Sequence, residues 1–174
     1  MDLKKIRNLR HIRRFNFHHC NKYETVAEHL CFATIIALDV ALHLNMSQKD
    51  MNCLLQIVLL HDITEAVIGD IGYLVRNRIP DAIKTLEAGA GAEIDIDILH
   101  CGRFDMLAEF IDTLELKMYL EEERKSGNSI LWDIECETYH RILTLQKAID
   151  ENLNKYIEML DVVPEKVSPK EMSH

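Results

Sequence analysis

The chain has 174 residues, 48% of them apolar, with 3 prolines and 6 glycines, enough for one packed domain and unlike a collagen-like, low-complexity or disordered chain. Lysine and arginine number 20 against 29 aspartates and glutamates, a formal charge of −9, so a nucleic acid polymer is not an expected partner. No apolar run approaches the roughly 18 uncharged residues of a membrane helix and the N-terminal MDLKKIRNLR lacks the apolar core of a signal peptide, so a soluble, cytoplasmic protein with no membrane partner is expected.

Lys4, Lys5, Arg7, Arg10, Arg13 and Arg14 crowd the start of the chain and leave a locally positive stretch for a small anion. Helical spacing then dominates and no window alternates as a strand does, so the expected class is all-α, a compact bundle of about six helices. Thr25 and Glu28 form a T-x-x-E capping box for a helix over 25–44, with Val26, Leu30, Ala33, Ala37, Ala41 and Leu44 on one face. Ser47 caps the next helix, with Asp50 at its third position. Leu54, Leu55, Ile57, Val58, Leu59 and Leu60 leave that helix almost no polar face, which predicts that it forms the centre of the core. Gly69 and Gly72 bracket a break, and Pro80-Asp81 start a helix into the nineties that Gly89 and Gly91 weaken. Another helix spans 104–124, with Leu107, Ile111, Leu114 and Met118 on one face and an end near Ser126-Gly127-Asn128. The last runs from 133 to 160 with Ile142, Leu145, Ile149, Leu153, Tyr156 and Leu160 as its stripe, and Pro164 and Pro169 mark a loose tail. No repeat or linker interrupts this pattern, so residues 1–174 read as a single domain. The cysteines at 20, 31, 53, 101 and 136 form no CxxC pair and read as reduced thiols, mostly in the core.

The sharpest polar feature is His61-Asp62-Ile63-Thr64-Glu65, which follows the most apolar helix and leads to Gly69-Asp70. Glu65 lies four residues after His61 and three after Asp62, so on a continuous helix all three side chains converge. An imidazole beside a carboxylate suits Zn²⁺, Mn²⁺ or Co²⁺. Two ligands rarely hold a catalytic metal, so partners must come from polar residues set in other apolar helices. His29 lies beside the buried stripe of its helix, and Asp112 lies between Ile111 and Leu114. Taken alone, a histidine on an apolar face is more often a hydrogen-bonded core residue, and a lone aspartate more often a surface residue or cap. The combination is what points to a metal. His18-His19 with Cys20 looks like a metal tract, but adjacent histidines in a short loop are more often exposed polar residues, and they are left out of the site.

His29, then His61-Asp62, then Asp112 resembles the H…HD…D pattern of the HD-domain metal-dependent phosphohydrolases. The closest likeness is to the 5′-deoxynucleotidase group, through Arg14-Phe15, Val26-Ala27-Glu28-His29, His61-Asp62-x-x-Glu65-x-x-x-Gly69-Asp70 and Ile111-Asp112-x-Leu114. The resemblance implies an HD-domain bundle and a homo-oligomer. His29, His61, Asp62 and Asp112 would hold one divalent metal, and Glu65 would handle the proton of the attacking water. Arg14 would contact phosphate. Phe15, where relatives usually carry tryptophan, would pack on the nucleoside and crowd a ribose 2′-hydroxyl. Asp70 would contact the 3′-hydroxyl and Arg76 would face the phosphates. Glu109 stands where some relatives have a lysine. His100 is the only histidine between Asp62 and Asp112, and no GYP motif follows, which favours one metal over two.

The implied activity is removal of the 5′ phosphate from deoxyribonucleoside monophosphates. The same site also suits a dATP triphosphohydrolase of the related phage enzymes, acting in a host cytoplasm if phage-encoded. A non-catalytic nucleotide-binding module is the reading from another class.

Overall fold

The computed structural model describes residues 1–96, 102 and 104–148. In chain order its helices are α1 (Leu3–Ile6), α2 (Val26–His43), α3 (Gln48–Leu60), α4 (Glu65–Ile68), α5 (Tyr73–Arg78), α6 (Pro80–Glu93), α7 (Asp105–Lys125) and α8 (Trp132–Ala148), with a 3-10 turn at Arg7–His11. Among the described residues the only extended pairing is an isolated bridge between Arg13 and Thr25, so the expected all-α class holds.

The capping box at the start of α2 forms as the sequence predicts. The Thr25 hydroxyl accepts from the Glu28 N–H at 3.2 Å, and the Glu28 carboxylate accepts from the Thr25 N–H at 2.8 Å. Two of the orphan donors at this helix start are thereby satisfied, and the register of every later residue on α2 is fixed. The buried face is Val26, His29, Leu30, Ala33, Ala37, Val40 and Ala41. Its alanines let α3 and α7 approach closely, because interaxial distance follows side-chain size at the contact. Ser47 caps α3 through the Asp50 N–H at 3.2 Å.

The main core joins Ala33, Ala37 and Val40 of α2 with Leu54 and Val58 of α3, Phe110 and Leu114 of α7 and Ile142 of α8. Here one expectation is corrected. α3 buries Leu54 and Val58, while Leu59 is 46% exposed, so the centre of the core lies between α2 and α7 rather than at α3. An unbroken apolar run gives no face preference, and packing on α2 covers only one side of α3. α2 and the segment Gln48–Ile68 are long and apolar enough to cross a membrane, although charged residues interrupt both, Glu28 and Asp39 in the first and Lys49, Asp50, Asp62 and Glu65 in the second. Here the two pack against each other.

The cysteine expectation is also corrected. The described cysteines are free thiols, and of these Cys20 is buried, Cys31 exposed, and Cys53 and Cys136 half-buried. α6 runs unbroken through Gly89 and Gly91. α8 carries the expected stripe as far as Leu145. Ile149, Leu153, Tyr156, Leu160 and the proline tail, with His100 and Cys101, lie outside the described residues.

Two smaller clusters fix the segment that enters α2. Leu9, Val26, Leu30, Ile63, Ala66 and Ile94 pack the N-terminal turn onto α4 and the end of α6. Cys20, Tyr119, Leu120 and Leu131 form the other, with Phe15 against it. Glu123, fully buried, accepts from the backbone N–H groups of Asn21 and Lys22 at 2.8 and 2.6 Å and from Asn128 at 2.6 Å. Burial opposes its charge, yet these hydrogen bonds hold its carboxyl below the usual range. The loop carrying Arg14 and Phe15 is therefore anchored to α7.

Candidate functional site

His29 lies on the buried face of α2, fully enclosed, and α7 presents Asp112 to the same point. His61 caps the C-terminus of α3. The Nε2 atoms of His29 and His61 are 3.2 Å apart, and Asp112 Oδ1 is 3.2 Å from the first and 3.5 Å from the second. Asp62 Oδ2 lies 3.4 Å from His61 Nε2 and 3.9 Å from His29 Nε2. All four residues expected to hold a metal are thus brought together.

The donor chemistry of this group fits a divalent cation. His61 Nδ1 donates to the Val58 carbonyl at 2.7 Å, and His29 Nδ1 donates to Glu115 Oε2 at 2.5 Å. With Nδ1 held in this way, it is Nε2 of each imidazole that faces the shared centre, where a cation would displace its proton, the arrangement that metal-ligating histidines adopt. The electrostatics agree. Burial opposes a charged His61, but Asp62 and Asp112 raise its pKa well above the ordinary value. For His29, burial and Arg14 oppose the proton, and hydrogen bonds to Asp112 and Glu115 outweigh them. Burial disfavours charge on both aspartates too, yet the imidazoles hold Asp112 well below the carboxylate range and Asp62 down to about 2. The cluster is built to hold positive charge.

Behind His29 lie two carboxylates, Glu24 and Glu115, that the sequence does not single out, and they hold Arg14. Arg14 Nη1 donates to Glu24 Oε2 at 2.8 Å and to Glu115 Oε2 at 3.1 Å, and is 2.9 Å from His29 Nδ1. Carboxylate oxygens of Glu24 and Glu115 and a ring nitrogen of His29 also lie within 4.8 Å of one another, but the cation among them is the guanidinium itself. Burial disfavours the Arg14 charge, and Glu115, Asp112 and Glu24 more than restore it. Burial and Glu115 push Glu24 up to about 7 against the pull of Arg14. The available signal was the spacing: Glu115 stands three residues after Asp112, one turn along the same face.

The continuous helix expected through His61–Glu65 is corrected by the structure. α3 stops at Leu60, the chain turns, and Glu65 opens α4. Glu65 is 3% exposed and receives Arg76 Nη2 at 2.9 Å. Burial, Asp62 and Asp70 push its carboxyl up to about 8, with Arg76 pulling the other way. Arg76 also donates to Glu87 of α6 and, through Nε, to the Ile71 carbonyl at 3.2 Å. It is therefore bridged between acids rather than solvated.

Phe15 adopts φ +58°, a left-handed conformation uncommon for a non-glycine residue and frequent where a site over-determines the backbone. Its ring stacks on Tyr119 at 5.4 Å with 10° between planes. The backbone N–H of Phe15 donates to Asp70, whose pKa burial raises against the pull of Arg14 and that hydrogen bond. Gly69, at φ +77°, makes the left-handed turn that delivers Asp70. Glu109 pairs with Arg141 of α8 at 2.7 Å, away from these groups.

The family model described as 5′-deoxynucleotidase YfbR-like matches residues 3–100, a span that contains Arg14, Phe15, His29, His61, Asp62, Glu65, Asp70 and Arg76. No curated protein matches the chain. Among solved structures, the chain is similar to the cyanophage S-2L HD phosphohydrolase DatZ bound to dA and one catalytic Zn²⁺ ion. The TM-score is 0.75 at 16% identity, covering 92% of this chain and 94% of that one. That likeness places the fold among the HD phosphohydrolases, and the family match, which spans more than half of the sequence, assigns the chain: it belongs to the YfbR-like 5′-deoxynucleotidase family, hydrolases of phosphate esters.

Proposed function

We propose that the protein removes the 5′ phosphate from deoxyribonucleoside monophosphates, with His29, His61, Asp62 and Asp112 holding one divalent metal ion, Zn²⁺, Mn²⁺ or Co²⁺. The observation that carries this reading is the convergence of two imidazole Nε2 atoms and two carboxylates, with separations of 3.2 to 3.9 Å, beside the buried Glu65 carboxyl. Such an ion, when bound, lowers the pKa of water toward neutrality and withdraws charge from a phosphoryl oxygen. Glu65 takes the proton of the attacking water. The water oxygen bonds to phosphorus, the bond from phosphorus to the 5′-oxygen breaks, and that oxygen leaves as the deoxynucleoside hydroxyl with the proton that Glu65 had taken, which returns the carboxylate to its starting state.

The substrate contacts follow from the same placement. All three Arg14 contacts use Nη1, and in this reading the other edge of its fork meets the phosphate. Phe15, held flat by Tyr119, sets the wall beside C2′ and selects against a 2′-hydroxyl. Asp70 receives the 3′-hydroxyl. Arg76 reaches phosphate by exchanging one of its two carboxylate partners. We read residues 1–174 as one HD domain of a cytoplasmic enzyme acting on free nucleotides, and its −9 charge opposes binding to a nucleic acid polymer.

A panel of dNMPs, dNTPs and the ribose counterparts, each with Mn²⁺, Co²⁺, Zn²⁺ or Mg²⁺, tests the activity. The expected outcome is inorganic phosphate from dNMPs alone. Inorganic triphosphate released from dATP would move the assignment to the triphosphohydrolases, which the family match does not favour. Tight binding without turnover would make the chain a nucleotide-binding module.

A homo-oligomer is part of the same reading. α2 exposes Phe32, Ile35, Leu38 and Leu42, and with Met118 of α7 the last three line an apolar groove of about 350 Å³, the kind of patch that marks an interface. Sedimentation equilibrium is expected to show a dimer or larger assembly that Leu42→Glu dissociates, and a monomer at all concentrations would remove this element.

A further inference from the structure

We infer that Glu115 is a positioning residue that locks His29 and Arg14 together, so that one carboxylate oxygen aligns both the metal ligand and the phosphate-side arginine. The inference rests on His29 being a metal ligand. The need for such a lock follows from the imidazole ring. A half-turn about the bond from Cβ to the ring would replace Nε2 with Cε1 at the metal position, and the wrong tautomer would place a proton there. For His61 the lock is the Val58 carbonyl at 2.7 Å, a backbone atom that no substitution removes. For His29 it is Glu115 Oε2 at 2.5 Å, with both side chains buried, 0% and 5% exposed.

The same Oε2 atom accepts from Arg14 Nη1 at 3.1 Å. Glu115 projects from α7 one turn beyond Asp112, so the helix that supplies a metal ligand also braces the ligand supplied by α2. Glu24 holds Arg14 at 2.8 Å from the opposite side. Its hydrogen bonds reach His29 only through Arg14 and Glu115. Loss of Glu24 therefore loosens the arginine, whereas loss of Glu115 loosens the arginine and the histidine at once.

The test is Zn²⁺ affinity of the metal-free protein, measured by competition with a chromophoric chelator for wild type, H29A, E115Q, E115A and E24Q. Removing the partner of a ligating histidine costs about 10- to 100-fold in metal affinity, so that loss is expected for E115Q, with E115A at the larger end. E24Q is expected to stay within about threefold of wild type, since its contact is to Arg14 and not to the ring. Circular dichroism and thermal midpoints identify any variant that has not folded. The wild-type protein supplies a readout that needs no substitution: the His29 Nδ1 proton, shared with a carboxylate, is expected far downfield in the NMR spectrum and absent from folded E115Q. Wild-type affinity in folded E115Q and E115A, or no downfield proton in wild type, would overturn the role of Glu115. Unchanged affinity in H29A would instead overturn the metal assignment and this inference with it.

Discussion

Asp62→Ala is expected to remove phosphate release and metal retention together, lowering kcat/KM by about a thousandfold or more. A bound cation contributes several kcal/mol to stabilising charge in phosphoryl transfer, and each 1.36 kcal/mol is a factor of about ten in rate. Asp62 supplies one of only two anions in a cluster whose other members are imidazoles, with Oδ2 at 3.4 and 3.9 Å from their Nε2 atoms. Without it, His29, His61 and Asp112 still surround the centre, but only one negative charge remains against a divalent ion. The expected signature is therefore thermal as well as kinetic. Zn²⁺ at about a hundred times its dissociation constant adds about 2.7 kcal/mol to wild-type stability, which raises the thermal midpoint, and the same addition leaves the variant near its metal-free midpoint. Activity within tenfold of wild type, or an undiminished metal-induced rise, would remove Asp62 from the site.

The legible part of this site was the set of polar residues that interrupt apolar stripes. His29 stands beside Val26, Leu30 and Ala33, and Asp112 beside Ile111 and Leu114, and burying either without a partner is unfavourable. The capping box at Thr25 fixed the register that turns His29 inward, so a local signal carried tertiary information. Glu115 gave no such signal. α7 also carries Glu109, Glu121, Glu122 and Glu123, of which Glu123 is buried and Glu122 exposed, and only the packing of α7 on α2 and of the Arg14 loop on α7 tells them apart. The break after Leu60 was equally hidden. Helical spacing through His61 and Glu65 is sound arithmetic on a straight helix, but the sequence there has no glycine or proline to mark the turn. That turn sets His61 and Asp62 beside His29 while Glu65 opens a new helix against Arg76.

The Arg14-Phe15 pair shows what tertiary context adds to a motif. In sequence, Arg14 is one of several cations in a basic run. In the fold it is half-buried, braced by Glu24 and Glu115, and followed by a phenylalanine in a left-handed conformation whose N–H meets Asp70. The groups proposed to meet phosphate, sugar and metal are thereby linked through neighbouring backbone and carboxylate contacts. Rigid mutual placement of this kind is what lowers the entropic cost of bringing water and phosphorus together.

Glu65→Gln is expected to lower kcat by about a hundredfold to ten-thousandfold, the usual contribution of a positioned proton acceptor, while leaving metal affinity near wild type. Glutamine keeps the shape of the side chain and an oxygen for Arg76 Nη2, now at 2.9 Å, but it cannot take a proton from water. The metal-induced rise in thermal midpoint should therefore survive, which separates this variant from Asp62→Ala. Stability against pH supplies an independent check on the metal-free protein. Burial, Asp62 and Asp70 push the Glu65 carboxyl from the usual 4.5 up to about 8, so between those values the folded state holds a proton that the unfolded state has released. Wild-type stability then falls as pH rises through that window and levels off above it. Glutamine carries no such proton, so the stability of the variant relative to wild type is expected to grow from pH 4.5 to pH 8. A variant with kcat within tenfold of wild type would rule out Glu65 as the proton acceptor. A stability difference that stays flat across the window would show that its carboxyl is not raised in the metal-free protein.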